Sequence, residues 1–263
     1  MCGRFGMLHT WTDMFESYNL ISPALNLQPR FNIAPTQPVF AITAASEGGG
    51  NTATHFQWGL VPSWAKDVSI GAKTINARAE TVSEKPTFRA AFRRRRCLIP
   101  ASGFYEWQNP PSESGRGGPK QPFWIAAADG GLLSFAGLWE TWMSPAGDEI
   151  QTCAIITTTA NDALAPIHAR MPVILAPADF DAWLAVGDDG GDRGTAMTVV
   201  QGMLRPAPTE ATTAWPVSTR VNNVRNDDPS LVEPADPVPA EISSDDNAPA
   251  AAKTADQGDL FSS

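Results

Sequence analysis

Cys97-Leu98-Ile99-Pro100-Ala101-Ser102-Gly103-Phe104-Tyr105-Glu106-Trp107 reads as one apolar β-strand whose only acidic residue, Glu106, is set between two aromatics. Similar alternating or β-rich runs at 39–43, 54–60, 123–127, 132–142, 151–158 and 172–175 are separated by Gly and Pro turns. Helical periodicity is confined to 10–19, 86–96, 178–186 and 196–204. The second of these has Pro86 in its first turn and an apolar face of Phe88, Ala91 and Phe92. Many strands with a few interspersed helices predict an α+β fold.

The 263 residues, 43% of them hydrophobic, suffice for the core of one large domain. From Pro229 the composition turns to Pro, Ala, Asp and Ser, with no aromatic residue before Phe261. Such a segment cannot bury enough apolar surface to fold alone. The expected organisation is a domain over 1–233 and a disordered acidic tail over 234–263. The formal charge of −9 belongs mostly to the tail: residues 227–263 hold nine of the 28 acidic residues and one of the 19 basic ones. The remainder is nearly neutral, so overall acidity does not exclude nucleic acid as a partner. Cys2, Cys97 and Cys153 make no paired framework and lack zinc-site spacing, so a reducing cytoplasm is expected, with no metal or cofactor. No signal peptide is visible, and no run approaches the roughly 20 apolar residues of a membrane span.

The chain begins Met1-Cys2-Gly3-Arg4-Phe5. Removal of Met1 would leave Cys2 carrying a thiol and a free α-amine together. With ordinary pKa values of about 8 for the amine and about 8.5 for the thiol, both nucleophiles are partly available near neutrality. An aldehyde is their natural target: the amine condenses to an imine, the thiol adds to the same carbon, and a thiazolidine ring closes. A small second residue also simply permits removal of Met1, and these five residues do not separate the two roles.

Further constellations carry chemistry. In Thr74-Ile75-Asn76-Ala77-Arg78-Ala79-Glu80-Thr81, an extended backbone puts Asn76, Arg78 and Glu80 on one face. That face is either merely solvated, or a site where Asn76 orients an amine or polarises a carbonyl and Arg78 grips a phosphate. Glu106 lies either on an edge strand in water or in an apolar wall, where its pKa would rise to suit general acid/base work. Of His9, His55 and His168, the last sits in Ala165-Pro166-Ile167-His168-Ala169-Arg170-Met171-Pro172, a loop entering a strand. A loop histidine is often structural, but Arg170 two residues on again suits a phosphate. Arg93 to Arg96 close the 86–96 helix, where cations meet its carbonyl end, a structural alternative to a nucleic-acid patch. The nine tryptophans, Trp58, Trp64 and Trp107 among them, serve as core or as base-stacking surfaces.

Taken in order, Met1-Cys2-Gly3-Arg4-Phe5, Trp58-Gly59-Leu60-Val61-Pro62-Ser63-Trp64, Asn76-Ala77-Arg78-Ala79-Glu80-Thr81, Gly103-Phe104-Tyr105-Glu106-Trp107 and Ile167-His168-Ala169-Arg170-Met171-Pro172 resemble the SOS response-associated peptidase family. The resemblance extends to Val221-Asn222-Asn223-Val224-Arg225-Asn226-Asp227 and so covers about residues 2 to 233. It implies curved, mostly antiparallel sheets forming a barrel-like core with a few flanking helices. It also implies a monomer that shields abasic sites in single-stranded DNA by a thiazolidine bond, an autopeptidase that removes its own Met1, a possible lyase activity, and a place on the nucleoid. By motif, Cys2 would be the nucleophile, Asn76 would position it, Glu106 would assist sugar opening and proton transfer, and His168 would serve Schiff-base formation and reversal. Arg4, Arg78, Thr157 and Arg170 would hold phosphates, with Trp107 at the strand junction. The departures, an insertion at 109–120 and the long tail, touch no motif.

The tail ends Gln257-Gly258-Asp259-Leu260-Phe261, which resembles the pentapeptide by which bacterial replication proteins dock on the sliding clamp. Gln257 would hydrogen-bond, Asp259 belongs to the same motif, and Leu260 and Phe261 would fill an apolar pocket from a flexible tether. Three other readings use some of the same residues. An N-terminal-nucleophile amidohydrolase uses Cys2 but normally feeds a synthase domain, a Cys-His-Asn peptidase leaves Glu106 and the arginines idle, and a non-covalent single-strand binder makes Cys2 incidental.

Overall fold

A computed structural model describes residues 2–45, 49–110, 119–185 and 193–238. Its strands are β1 (Phe5–Met7), β2 (Arg30–Ile33), β3 (Pro38–Ala44), β4 (Asn51–Trp58), β5 (Asn76–Arg78), β6 (Arg96–Ala101), β7 (Gly103–Gln108), β8 (Gln121–Ala127), β9 (Leu133–Met143), β10 (Glu149–Thr159), β11 (Arg170–Pro172) and β12 (Thr212–Pro216). The helices are α1 (Trp11–Tyr18), α2 (Arg89–Arg94), α3 (Phe180–Leu184) and α4 (Arg193–Gly202). This is the α+β fold expected from the sequence.

Five strands close on themselves in the order β3-β4-β10-β9-β6, with β6 returning to β3 at Leu98 and Ile42. Closure leaves this barrel without a free edge around its girth. All its pairings are antiparallel except β4 with β10, where Gln57 lies opposite Thr152. Further along β10, β5 takes over from β4 in the same parallel sense, setting Asn76 opposite Ile155 and Arg78 opposite Thr157. β11 adds antiparallel to the same end of β10, with Pro172 opposite Thr157 and Arg170 opposite Thr159. The second sheet is antiparallel throughout, in the order β12-β8-β7-β1-β2.

The stretch 97–107 is therefore not one strand but two, and the two belong to different sheets. The chain leaves the barrel at Ser102, whose backbone N–H donates to the Gly6 carbonyl at 2.8 Å, and whose Oγ accepts from Leu8 N at 2.7 Å. Gly103 makes the switch possible, since a Cβ there would lie 2.4 Å from the Trp124 ring. Apolar alternation continues straight through this corner, because both strands need the same pattern to bury a face. Aromatic rings join the layers. Phe5 of β1 meets Trp58 at 5.2 Å and Phe135 at 6.0 Å edge to face, and Phe104 of β7 meets Phe135 at 5.8 Å. Burying such a side chain is worth about 2 kcal/mol, and the edge geometry adds to it. A second apolar cluster of Tyr105, Trp124, Val217, Val221 and Leu231 covers the other face of the five-stranded sheet.

α1 follows its sequence signals closely. Thr10 caps it in a reciprocal box with Asp13, worth about 1 kcal/mol, and Asn19 ends it in the left-handed region at φ 48°. The other helices are displaced from their expected spans: α2 begins at Arg89 and not Pro86, α3 is a single five-residue turn after a 3₁₀ turn at Pro177–Asp179, and α4 ends at Gly202. Arg93 and Arg94 stay in the last turn of α2 as the dipole reading expects. Arg95 pairs with Glu140 at 2.5 Å, while Arg96 is buried. Strands β1, β2 and β12 lack an alternating run long enough to be read from sequence, whereas the extended segment expected over 74–81 is present as β5 and stops at Arg78. The body also extends past residue 233: Ala235 N donates to the Pro216 carbonyl at 3.0 Å, and Val238 N to Gln121 Oε1 at 2.6 Å. The remainder of the expected tail, Gln257, Asp259, Leu260 and Phe261 included, lies outside the described residues. Among the described residues, no helix is long and apolar enough to cross a membrane.

Candidate active site

Four of the sequence-predicted residues meet at a seam between β1 and β7 of the five-stranded sheet and the strands β5 and β11 that flank β10 at the end of the barrel. Cys2 precedes β1 and is fully buried. Its carbonyl accepts a hydrogen bond from Asn76 Nδ2 at 2.7 Å, a tie that runs from one sheet to the other. Asn76 is set by the end of the 59–75 loop, where Trp58 Nε1 donates to the Ile75 carbonyl at 3.0 Å. Gly59 lets that loop close: at φ 134°, a Cβ would stand 2.5 Å from the Gly71 carbonyl oxygen.

Glu106 sits on β7, which lies between β1 and β8 and is not an edge. It shares a face with Phe104, which points into the main core, whereas Tyr105 and Trp107 belong to the opposite cluster. Only 3% exposed, it is in the apolar wall and not in water. Burial pushes its carboxyl pKa up to about 7, opposed by the charge of the chain's amino terminus and, more weakly, by Lys120. His168 Nδ1 stands 3.9 Å from Glu106 Oε2. The same Nδ1 is 3.0 Å from the backbone N–H of Arg170 and 3.1 Å from its carbonyl. The ring therefore has a donor to accept from when neutral and an acceptor to donate to when protonated. Burial lowers its pKa, so the neutral form is favoured. The other two histidines are occupied elsewhere, His9 against Ser102 and His55 edge-on to Phe40.

The thiol departs from expectation. Burial, and next the nearby Glu106 charge, push the Cys2 pKa far above its ordinary value, although the amino-terminal charge and a hydrogen bond from the Arg4 backbone oppose the shift. With Met1 in place the sulfur is a protonated, inaccessible group and not a poised thiolate. The three cysteines are unpaired and buried.

The proposed phosphate-holding residues divide. Arg78 is exposed beside the seam. Arg170 grips Glu80 in a two-point ion pair and donates to the Thr157 carbonyl at 2.6 Å. Thr157 is fully buried, its Oγ1 3.3 Å from Arg170 Nη2. Arg4 is drawn inward: its Nη1 donates to Asn32 Oδ1 and to the Val221 carbonyl, both at 2.8 Å, and its guanidinium lies 5.9 Å from the Trp107 ring centre. Trp107 Nε1 donates to Asn222 Oδ1 at 2.8 Å, so the 221–227 motif works as a buttress for both residues. Glu80 does not continue the Asn76/Arg78 face, because β5 ends at Arg78 and a turn follows. Two residues of the site escaped the sequence reading. Lys120, set aside as the end of an insertion, acts electrostatically on both Glu106 and His168, and Asn32 anchors Arg4. Neither carries a local signal, since each matters only through a neighbour distant in sequence.

Residues 1–224 match the family model described as SOS response associated peptidase (SRAP). The chain is 39% identical over 235 residues to the abasic site processing protein YoqW of Bacillus subtilis, an alignment covering 89% of this chain and 99% of that one. It is 34% identical over 211 residues to the abasic site processing protein HMCES of Gallus gallus, covering 71% of this chain and 59% of that one. Among solved structures, a crystal structure of a protein from Bacteroides thetaiotaomicron superposes with a TM-score of 0.75 at 26% identity, covering 89% of this chain and all of the other.

Proposed function

Because the chain belongs to the SOS response associated peptidase family, we propose that it processes abasic sites in single-stranded DNA and captures them covalently through Cys2, shielding the lesion. The observation that carries this reading is the meeting of Cys2, Asn76, Glu106 and His168 at one seam, with Asn76 bonded to the Cys2 carbonyl and His168 3.9 Å from Glu106. The name shared by the relatives supports the substrate class, and the side chains support the chemistry.

Hydrolysis of the Met1–Cys2 bond consumes one water, releases methionine and gives Cys2 its α-amine. The amine adds to the C1′ aldehyde of the opened sugar. Protonation of the resulting carbinolamine hydroxyl expels water and leaves an imine. The sulfur then adds to the imine carbon as the thiol gives up its proton and the imine nitrogen takes one, so adduct formation releases one water overall. Each step needs a group that both gives and takes protons near neutrality. Glu106, at a pKa of about 7, is present in both forms there. Its carboxylate is the acceptor for the thiol proton, which burial otherwise holds in place. His168, served by Arg170 in either protonation state, passes protons onward, while Arg78 and Arg170 face the phosphates on either side of the lesion.

The test uses protein whose loss of Met1 has been verified by mass. Mixed with a single-stranded oligonucleotide containing one abasic site, the wild type forms an adduct that survives a denaturing gel, and Cys2→Ala forms none. An adduct with Cys2→Ala would exclude the thiazolidine route.

A further inference from the structure

Arg170 presents its guanidinium fork to Glu80, with Nη1–Oε1 at 2.6 Å and Nη2–Oε2 at 3.1 Å. This is the geometry in which an arginine takes a phosphate, two parallel N–H···O bonds to a delocalised anion. The two partners are held very differently. Arg170 is fixed from behind by the Thr157 carbonyl and hydroxyl, and its side chain is only 18% exposed. Glu80 stands in the turn after β5, and its side chain is 49% exposed. The pair is two-pointed, yet its carboxylate end is about half exposed and so open to exchange with another anion. The carboxylate also feels Arg78, the second cation of this face. A cleft of about 290 Å³, lined by Glu80, Ser83, Thr158, Gln201 and Leu204, adjoins it and offers a hydroxyl and an amide to a carboxylate that swings away.

We propose that Glu80 is a built-in phosphate surrogate: in the DNA-free protein its carboxylate holds the place on Arg170 that a backbone phosphate of the single strand occupies, and binding displaces it into the adjoining cleft. The inference rests on the reading of this face as the single-strand site. Its consequence is selectivity. An undamaged strand must evict Glu80 without the compensation of a covalent bond, so Glu80 weakens binding to intact DNA and leaves capture at the lesion to Cys2.

Binding is measured by fluorescence anisotropy with an intact single-stranded oligonucleotide over a range of salt, using wild type, Glu80→Gln, Glu80→Ala, Arg170→Ala and the Glu80→Gln/Arg170→Ala double variant. Both Glu80 variants are expected to bind roughly two- to fivefold tighter at low salt. The slope of log affinity against log salt should steepen by about one ion, because no freed carboxylate then takes up a cation. The gain should vanish in the Arg170→Ala background. Unchanged or weaker binding by the Glu80 variants would overturn the proposal, marking Glu80 as a brace for Arg170 or a bystander. Adduct yield on an abasic oligonucleotide is scored separately. Tighter binding by Glu80→Gln with no wild-type adduct would defeat covalent capture and leave the surrogate standing, and the converse result would do the opposite.

Discussion

At the corner where α2 meets α3, Arg96 is as deeply buried as Glu106 is at the seam between the sheets, 4% and 3% exposed. Arg96 is surrounded by neutral acceptors. Its Nε donates to the Trp183 carbonyl at 2.6 Å, Nη1 to those of Phe92 and Arg93 at 2.8 and 3.3 Å, Nη2 to Ala185, and its plane lies 5.7 Å from the Trp183 ring centre. One guanidinium thus satisfies the carbonyl ends of two short helices that have few other means of closing. Burial lowers its pKa from a value so high that it stays charged, and it does nothing but hold structure. Glu106 starts from a pKa of 4.5 that burial lifts to about 7, into the range where protons come and go. Burial alone therefore does not mark a functional group. What separates the two is the distance between the group's intrinsic pKa and neutrality, together with the presence of a second titratable group, His168, alongside.

Three experiments would break or sharpen this contrast. The largest effect should come from Glu106→Gln, which keeps the shape but cannot exchange a proton. Adduct formation should slow by about 10²- to 10⁴-fold while binding to intact single strands persists. A rate equal to wild type in rapid-quench assays would return Glu106 to the structural class with Arg96. Next, Arg96→Leu strips donors from four carbonyls and should cost about 4 kcal/mol in urea unfolding, at about 1 kcal/mol each, with the adduct rate per folded molecule unchanged. The smallest effect is a dependence on pH. The folded-state pKa of Glu106 lies above its unfolded value, so this group's contribution is most favourable below about pH 4.5 and is eroded as pH rises through about 7, by up to about 3 kcal/mol. Relative to wild type, Glu106→Gln should gain stability between pH 5 and pH 8, whereas Arg96→Leu should lose the same amount at both. A Glu106→Gln difference that does not change with pH would mean that the carboxyl is not perturbed.

How much of this could be read in advance differs from residue to residue. The helix over 10–19 is legible because its periodicity is local, and the structure adds the caps, Thr10 with Asp13 and Asn19, which are also a contest among neighbours in sequence. The barrel strands were legible as β for a similar local reason, yet the corner at Ser102 was not, since both sheets demand the same alternation. Glu106 was visible as a carboxylate among aromatics, but whether it faced water turned on β1 and β8 pairing on either side of it. For Cys2, residue type gives only the ordinary thiol value, whereas with Met1 in place burial across the seam raises it. Arg4, Arg78 and Arg170 looked alike in the chain, yet one is tied to Asn32 and Val221, one is exposed and one is matched to Glu80.

Residue chemistry and motif order are enough to know that a cysteine able to expose an amine and a thiol shares a chain with a lone apolar-wall carboxylate, a loop histidine and several arginines, and to place that chain in an α+β family. Those are properties of covalent structure and short-range preference. That Cys2 and Glu106 arrive with one sheet, ahead of β1 and on β7, while Asn76 and His168 arrive with the strands that flank β10, on β5 and just ahead of β11, and that their protons are thereby retuned, belongs to the assembled fold. A pKa is set by which dielectric, charge and hydrogen-bond partner come to stand within a few ångströms, and here those partners lie 74 residues apart between Asn76 and Cys2 and 62 residues apart between His168 and Glu106.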